Sequence, residues 1–430
     1  MRPASLITID LATQKISTQV RWWNPEIGKI SHISFEEAAK ILRSKILSSV
    51  DLHLRSDVPV AAALSGGLDS STIVCCVREL RPDVEIDTFS YSAVGSPLDE
   101  SRWAAIVASH AETTQHEVCG DPEDALDALD AIIRAQGEPF GSTSIYAQFR
   151  VFESVAEAGF KACLDGQGAD ELLAGYSGYP GYRMLSLIEQ GHFLSAAKFA
   201  RAWSQLPGRH HLTPWQHLAA LILPKRIVSI LYSKFRSPSR PAWLVQEFFR
   251  GKGVKMRYCP ASRTRGARGR RLTEALISGL DNLDSLLRHE DRNSMHFSVE
   301  SRVPFLTIEI AEFLFSLPEN YLVGNDGITK SVLREAMRHI VPEQILDRTD
   351  KIGFATPEPD WLVDWVRDRP DILSVPRELS QVINEVELRR MVQEILDGQR
   401  AYTSAVWRCV CLISWFNAFF KSRDTQSPEN

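Results

Sequence analysis

The chain has 430 residues, 44% hydrophobic and 24% charged, with 49 Lys and Arg against 54 Asp and Glu for a formal charge of -5. That length allows about two to four domains. The apolar content excludes disorder across the whole chain, and the near-balance of charge argues against a dedicated nucleic-acid binder. Seven cysteines (Cys75, Cys76, Cys119, Cys163, Cys259, Cys409 and Cys411) make an odd count without a C-x-x-C pair. This points to a reducing compartment and no zinc ribbon, with most of the thiols acting as small apolar core residues. Met1–Ser5 leads into an alternating polar stretch, which does not read as a signal peptide. The longest apolar runs, Leu218–Leu223 and Val406–Phe420 with Arg408 inside it, fall short of the ~18 clean residues of a membrane span. A cytoplasmic protein is expected.

In chain order, Leu6–Ile9 alternates like a short strand, and Trp22-Trp23-Asn24-Pro25 breaks the pattern. From Ser34, the apolar residues Ala38, Ile41, Leu42, Ile46 and Val50 recur at helical spacing, and Ser34 with Glu37 fits a capping box. Val58–Leu64 reads as a buried strand, Ser65–Ser71 as a glycine loop, and Thr72–Val77 as part of a helix. Strands are then expected at Ile86–Tyr91, Gln115–Val118 and Lys161–Leu164. Helices are expected at Glu100–His110, Pro122–Arg134 and Ile145–Ala158. Strands alternating with helices predict an α/β fold with a doubly wound parallel sheet, whose ligands bind outside the carboxyl ends of the strands. The loops after Leu64 and after Leu164 both sit at such ends. Beyond a soft boundary near residue 190 the chain reads as mainly helical, with Lys252–Arg271 a basic loop.

Ser65–Ser71 carries the chemistry. Gly66 and Gly67 let backbone N–H groups approach an anion, and the following helix contributes the positive end of its dipole. Ser65, Ser70 and Ser71 add hydroxyl donors. Asp69 would repel a phosphate unless a divalent cation bridged them. The stretch lacks the G-x-x-x-x-G-K-[ST] spacing of a Walker loop.

This loop resembles the pyrophosphate loop of N-type ATP pyrophosphatases. Its flanks sharpen the likeness. Arg55–Val60, Asp165–Tyr176 (DGQGADELLAGY), Glu300–Leu306 (ESRVPFL), Thr329–Glu335 (TKSVLRE) and Arg348–Phe354 (RTDKIGF) resemble, in the family's order, the synthetase domain of asparagine synthetases. The resemblance implies an adenine nucleotide alpha hydrolase-like core at 31–190 and a mainly helical continuation at 191–425 carrying a catalytic lysine loop. Residues 1–30 resemble the linker that follows a glutaminase domain, whose nucleophilic cysteine has no counterpart in this sequence.

By motif position the resemblance implies that ATP lies between the two glycine loops. Leu64, Tyr91, Asp165 and Gly166 then line the nucleotide, with Ser65, Gly66, Gly67, Asp69, Ser70 and Ser71 around the phosphates. Asp69 and Asp170 match magnesium-binding carboxylates. Read alone, Asp170 is equally the N-cap of a helix starting at Glu171. Lys351 matches the catalytic lysine, placed to stabilise charge on the α-phosphate and the leaving pyrophosphate. Lys330 and Arg334 share a helix face, and either reach phosphate or form a solvated stripe. Arg302 is expected to be structural, as are His116 and the His210-His211 pair.

Gln167 stands where many asparagine synthetases carry Glu. It keeps hydrogen bonding but loses the charge that meets an amino group. The expected activity is therefore adenylation of a carboxylate, in the simplest case L-aspartate, followed by amide formation with ammonia or another amine. Three readings of the amine supply stay open: a fragment, a stand-alone chain with a separate glutaminase subunit, or use of free amine. The rival readings are a tailoring amidoligase acting on a peptide natural product and a non-catalytic nucleotide-binding partner subunit.

Overall fold

The computed structural model describes residues 4–210, 212–224, 227–228, 241–254, 268–350 and 356–421. It begins with a small antiparallel hairpin of four short strands: β1 (Ser5–Leu6), β2 (Ile9–Asp10), β3 (Lys15–Ile16) and β4 (Val20–Arg21). β1 pairs with β4 and β2 with β3. The single strand expected over Leu6–Ile9 is thus two. The reason is local: at Thr8 the amide donates to the Ser17 hydroxyl, which takes over a ladder bond.

Helix α1 (Phe35–His53) starts where the capping box predicts, with the Glu37 amide donating to Ser34 Oγ. Its face Ala38, Leu42, Ile46 and Val50 is fully buried. The central sheet follows, with β5 (Val60–Ala63), β6 (Asp87–Ser92), β7 (Thr114–Cys119), β8 (Ala162–Leu164) and β9 (Glu300–Arg302). Its order is β7-β6-β5-β8-β9, and every pair is parallel. The chain runs outward from β5 to β7 and then returns to place β8 on the other side of β5. The strand order therefore switches between β5 and β8, and the two glycine loops leave neighbouring strand ends at that switch.

Strand alternation divides the core into two layers. Ala62 and Leu164 face the layer built from α1, α2 (Leu68–Leu80) and α3 (Ser101–His110). Ala61 and Cys163 face the other, with Tyr146, Phe152, Trp365 and Trp407. Each layer draws on residues from both sides of position 190. Five of the six described cysteines are buried in these layers, as expected, and Cys119 is exposed.

Two further sequence expectations need correction. Pro122–Arg134 is not one helix but two, α4 (Pro122–Asp127) and α5 (Leu129–Gln136). They dock on different partners: α4 on helix Glu358–Asp368, where Trp365 Nε1 donates to the Pro122 carbonyl, and α5 on helix Ala405–Phe420. The other concerns β9, a strand within the region read as mainly helical. It is three polar residues long, with no apolar period to betray it, and it extends the sheet by pairing Ala162 with Glu300. Arg302 at its end donates from Nη1 to the carbonyls of His53 and Arg55, closing the C-terminus of α1. That is a structural role, as expected.

Candidate nucleotide site

The first loop is shaped by its own serines. The Ser65 amide donates to Ser70 Oγ at 3.1 Å, and the Gly67 amide to Ser65 Oγ at 3.3 Å. Gly66 adopts φ +75°, and a Cβ there would lie 2.5 Å from the Ala104 amide of α3. Gly67 is the N-cap of α2, which carries no side-chain cap, so the helix presents free N–H groups at its start.

The second loop leaves β8 at Asp165, whose amide donates to the Arg302 carbonyl at 2.8 Å. Gly168 is the N-cap of the short helix α7 (Ala169–Leu172). Asp170 therefore lies inside the first turn rather than at the cap. The loops touch: a Cβ on Gly166 would meet the Ser70 amide at 2.8 Å.

Lys330 closes the gap between them. Its Nζ donates to both oxygens of Asp69 at 2.6 Å and lies 2.6 Å from Asp170 Oδ1. The residue is 5% exposed and sits at φ +58°, a left-handed conformation that a lysine adopts only when its surroundings impose it. Burial opposes its charge, but the two carboxylates outweigh burial and hold its pKa above the usual lysine value. Of the two open readings of Lys330, the solvated stripe is excluded. Arg334 is turned to backbone carbonyls, those of Thr329 and Leu346.

Around this centre lies a cavity of about 360 Å3, lined by Leu64, Ser65, Gly67, Asp69 and Ser70 on one side and by Asp165, Gly166, Gln167 and Asp170 on the other. Burial, reinforced by the charge of Asp69, pushes the Asp165 carboxyl up to about 6, against the lowering effect of the Gly166 and Gln167 amides. Three expected residues, Gly66, Ser71 and Tyr91, lie apart from the cavity lining. Ser71 is fully buried in α2, and Tyr91 packs edge-on against Tyr146 in the second core layer. Gly66 contributes through its backbone, its carbonyl accepting from Arg348 Nη1 at 2.9 Å. Lys351 lies outside the described residues.

The structure gives Arg348, the first residue of the RTDKIGF motif, a role. It bonds Glu100 at 2.8 Å and Asp350 at 3.0 Å, and its guanidinium stacks over Trp103 at 4.5 Å. Burial opposes its charge, but bonds to Asp350 and Glu100 hold its pKa above the usual value. Its effect is to tie the segment leading to Lys351 onto the first glycine loop. Sequence offered only the arginine's place in a motif, because neither Glu100 nor Trp103 is near it along the chain.

Among the described residues no cluster of three or more His, Cys, Asp or Glu side chains is placed to hold a metal ion. Two facing carboxylates already bridged by an ammonium do not make a resident metal centre. They do fit magnesium arriving with phosphate oxygens and keeping several waters, the usual mode for that ion.

A parallel sheet with paired glycine loops at its switch point defines an α/β fold of the ATP-pyrophosphatase type. A family model described as asparagine synthase matches residues 42–418, and the chain belongs to that family. It is 28% identical over 408 residues to asparagine synthetase (glutamine-hydrolyzing) 1 of Bacillus subtilis, covering 90% of this chain and 60% of that protein. It is 24% identical over 432 residues to asparagine synthetase (glutamine-hydrolyzing) 3 of the same organism, covering 95% of this chain and 62% of that one. A shorter match, 30% over 167 residues, reaches asparagine synthetase (glutamine-hydrolyzing) 2 of Oryza sativa, covering 36% of this chain and 28% of that protein. The chain thus spans about 60% of the length of the two Bacillus relatives. No described helix is long and apolar enough to cross a membrane.

Proposed function

We propose that this chain is an ATP-dependent amidoligase that adenylates a carboxylate, in the simplest case L-aspartate, and passes the acyl group to ammonia. The observation that carries this reading is the meeting of Asp69 and Asp170 from two adjacent strand-end loops on one buried lysine. ATP is held between the loops, its phosphates against the α2 N-terminus, Ser65, Gly67 and Ser70, and its nucleoside by Leu64, Asp165 and Gly166. Asp69 and Asp170 would hold magnesium, which when bound neutralises phosphate charge.

A substrate carboxylate oxygen attacks the α-phosphorus, the bond from that phosphorus to the bridging oxygen breaks, and pyrophosphate leaves. Lys330 and Lys351 supply positive charge where negative charge builds up on the α-phosphate and the leaving pyrophosphate. The neutral amine then attacks the acyl carbon, the acyl–oxygen bond breaks, and AMP departs as the amine loses a proton. Gln167, beside Gly166, positions the acyl substrate. A separate glutaminase subunit, or free ammonium, is the amine source.

A second reading, amide formation on a peptide natural product, draws on the neutral Gln167. The test is pyrophosphate release with magnesium, ATP and L-aspartate, with and without ammonium chloride, using Lys351→Ala as control. Release with aspartate, and asparagine only when ammonium is present, supports the first reading. Saturable ATP binding without release moves the acyl substrate to a peptide.

A further inference from the structure

Helices Tyr179–Glu189 and Arg271–His296 border a second cavity, of about 520 Å3. It shares one residue with the nucleotide cavity, Tyr176, so the two chambers adjoin. The shared wall is braced by the Tyr176 hydroxyl, which donates to Glu171 of the first chamber. Apolar side chains, among them Leu185, Leu221 and Ala275, line much of the second chamber, together with the rings of Tyr179 and Tyr182. Tyr176 and Tyr179 stack with centroids 6.2 Å apart.

Its charges do not close. Arg271 Nε pairs with Glu189 at 2.9 Å, and Arg271 Nη1 donates to Glu274 Oε2 at 2.8 Å. Glu189 is further satisfied by the Gly269 amide at 2.8 Å. Glu274 Oε1, by contrast, is buried and has no hydrogen-bond partner among the described residues, on a side chain that lines the cavity and belongs to a residue 7% exposed. Among the described lining residues, two carboxylates against one guanidinium leave one negative charge in excess. A buried acceptor without a donor is destabilising, so the unpaired oxygen points to a missing cationic donor. Tyrosine faces beside a carboxylate are the groups that recognise an alkylammonium.

We propose that this second chamber binds an organic primary amine in its ammonium form, with Glu274 Oε1 accepting the N–H and the tyrosines and aliphatic side chains enclosing the carbon part. The apolar lining and the volume suit an organic amine over bare ammonium. A role for that amine as co-substrate rests on the amidoligase reading; its binding does not.

The test uses the full chain without nucleotide at pH 7, with benzylamine as probe and benzyl alcohol and benzoate as neutral and anionic counterparts, followed by titration calorimetry and saturation-transfer NMR. Benzylamine is expected to bind at least tenfold more tightly than either counterpart. Glu274→Gln is expected to weaken it at least tenfold. Ala275→Trp, which fills the chamber and keeps the carboxylate, is expected to abolish binding, and thermal melts establish that each variant is folded. Equal binding of benzyl alcohol or benzoate, unchanged benzylamine affinity in the two folded variants, or no saturable binding overturns the proposal. Pyrophosphate release, measured separately on the same preparation, tells failure of the chamber from failure of the amidoligase reading.

Discussion

The two chambers set the same ingredients against each other and close them differently. In the nucleotide cavity, two carboxylates share one lysine, whose ammonium reaches both at 2.6 Å. In the neighbouring cavity, two carboxylates share one arginine, yet one oxygen of Glu274 is left over. A compact ammonium centred between two acids compensates both, whereas a planar guanidinium spends its directed donors along fixed lines. The first chamber thus keeps a net negative charge at its centre even with the lysine in place, so a ligand with negative phosphates has to bring its own cation. The second is short of a positive charge and suits a ligand that is itself a cation.

Removing the central cation is the most severe way to break this comparison. Lys330→Met leaves Asp69 and Asp170 facing each other, and is expected to cost about 3–5 kcal/mol in urea unfolding, as for other broken buried pairs. Pyrophosphate release should fall below detection. The carboxylates raise the lysine pKa, so its contribution is complete below the unfolded value of about 10.4 and is lost only as pH rises through the higher folded value. Wild-type and variant stabilities should therefore converge only in strong alkali.

A subtler change moves one acid while keeping every charge. A Cβ on Gly175 would lie 1.7 Å from Asp170 Oδ1 and 2.7 Å from Lys330 Cε. Gly175→Ala is expected to displace the carboxylate, destabilise the protein by about 1–3 kcal/mol through overpacking, and slow pyrophosphate release about 100-fold, the usual effect of a group about 1 Å out of place. Release rates at saturating ATP check it.

The mildest test asks how much buried charge the first chamber tolerates. Asp165 has its folded pKa pushed up to about 6, so the folded chain holds that proton more tightly than the unfolded chain. Wild-type stability should decline as pH rises from about 4 to 6, by an amount on the order of 2 kcal/mol, and then level off. Glu290, also raised by burial and by Asp165, shifts stability in the same direction. Asp165→Asn is expected to flatten that part of the profile, measured by denaturant midpoints across pH. An unchanged slope would refute the assignment.

Much of the first chamber was legible in the sequence because its parts are local. The serines, glycines and Asp69 of the first loop are consecutive, and Asp170 follows the second glycine pair within the same run of residues. Lys330 was ambiguous because helical spacing tells which residues share a face but not what that face meets. The second chamber left no trace in the sequence: Tyr179 and Tyr182 lie on one helix, and Glu274 lies far away on another that packs there only in three dimensions. β9 escaped notice for a related reason, since three polar residues become a strand only through the neighbour they pair with.

That late strand also bears on how the molecule is made. β8 waits for Glu300–Arg302 before its outer edge is paired, and Asp69 waits for Lys330 before its charge is met. During synthesis, residues preceding Glu300 emerge with an open sheet edge and uncompensated acids. Pairing across such long sequence separations is slow and exposes intermediates to aggregation. The last described helix, Ala405–Phe420, covers α5 later still. Assembly of the nucleotide cavity therefore comes only after Glu300–Arg302 and Lys330 have emerged.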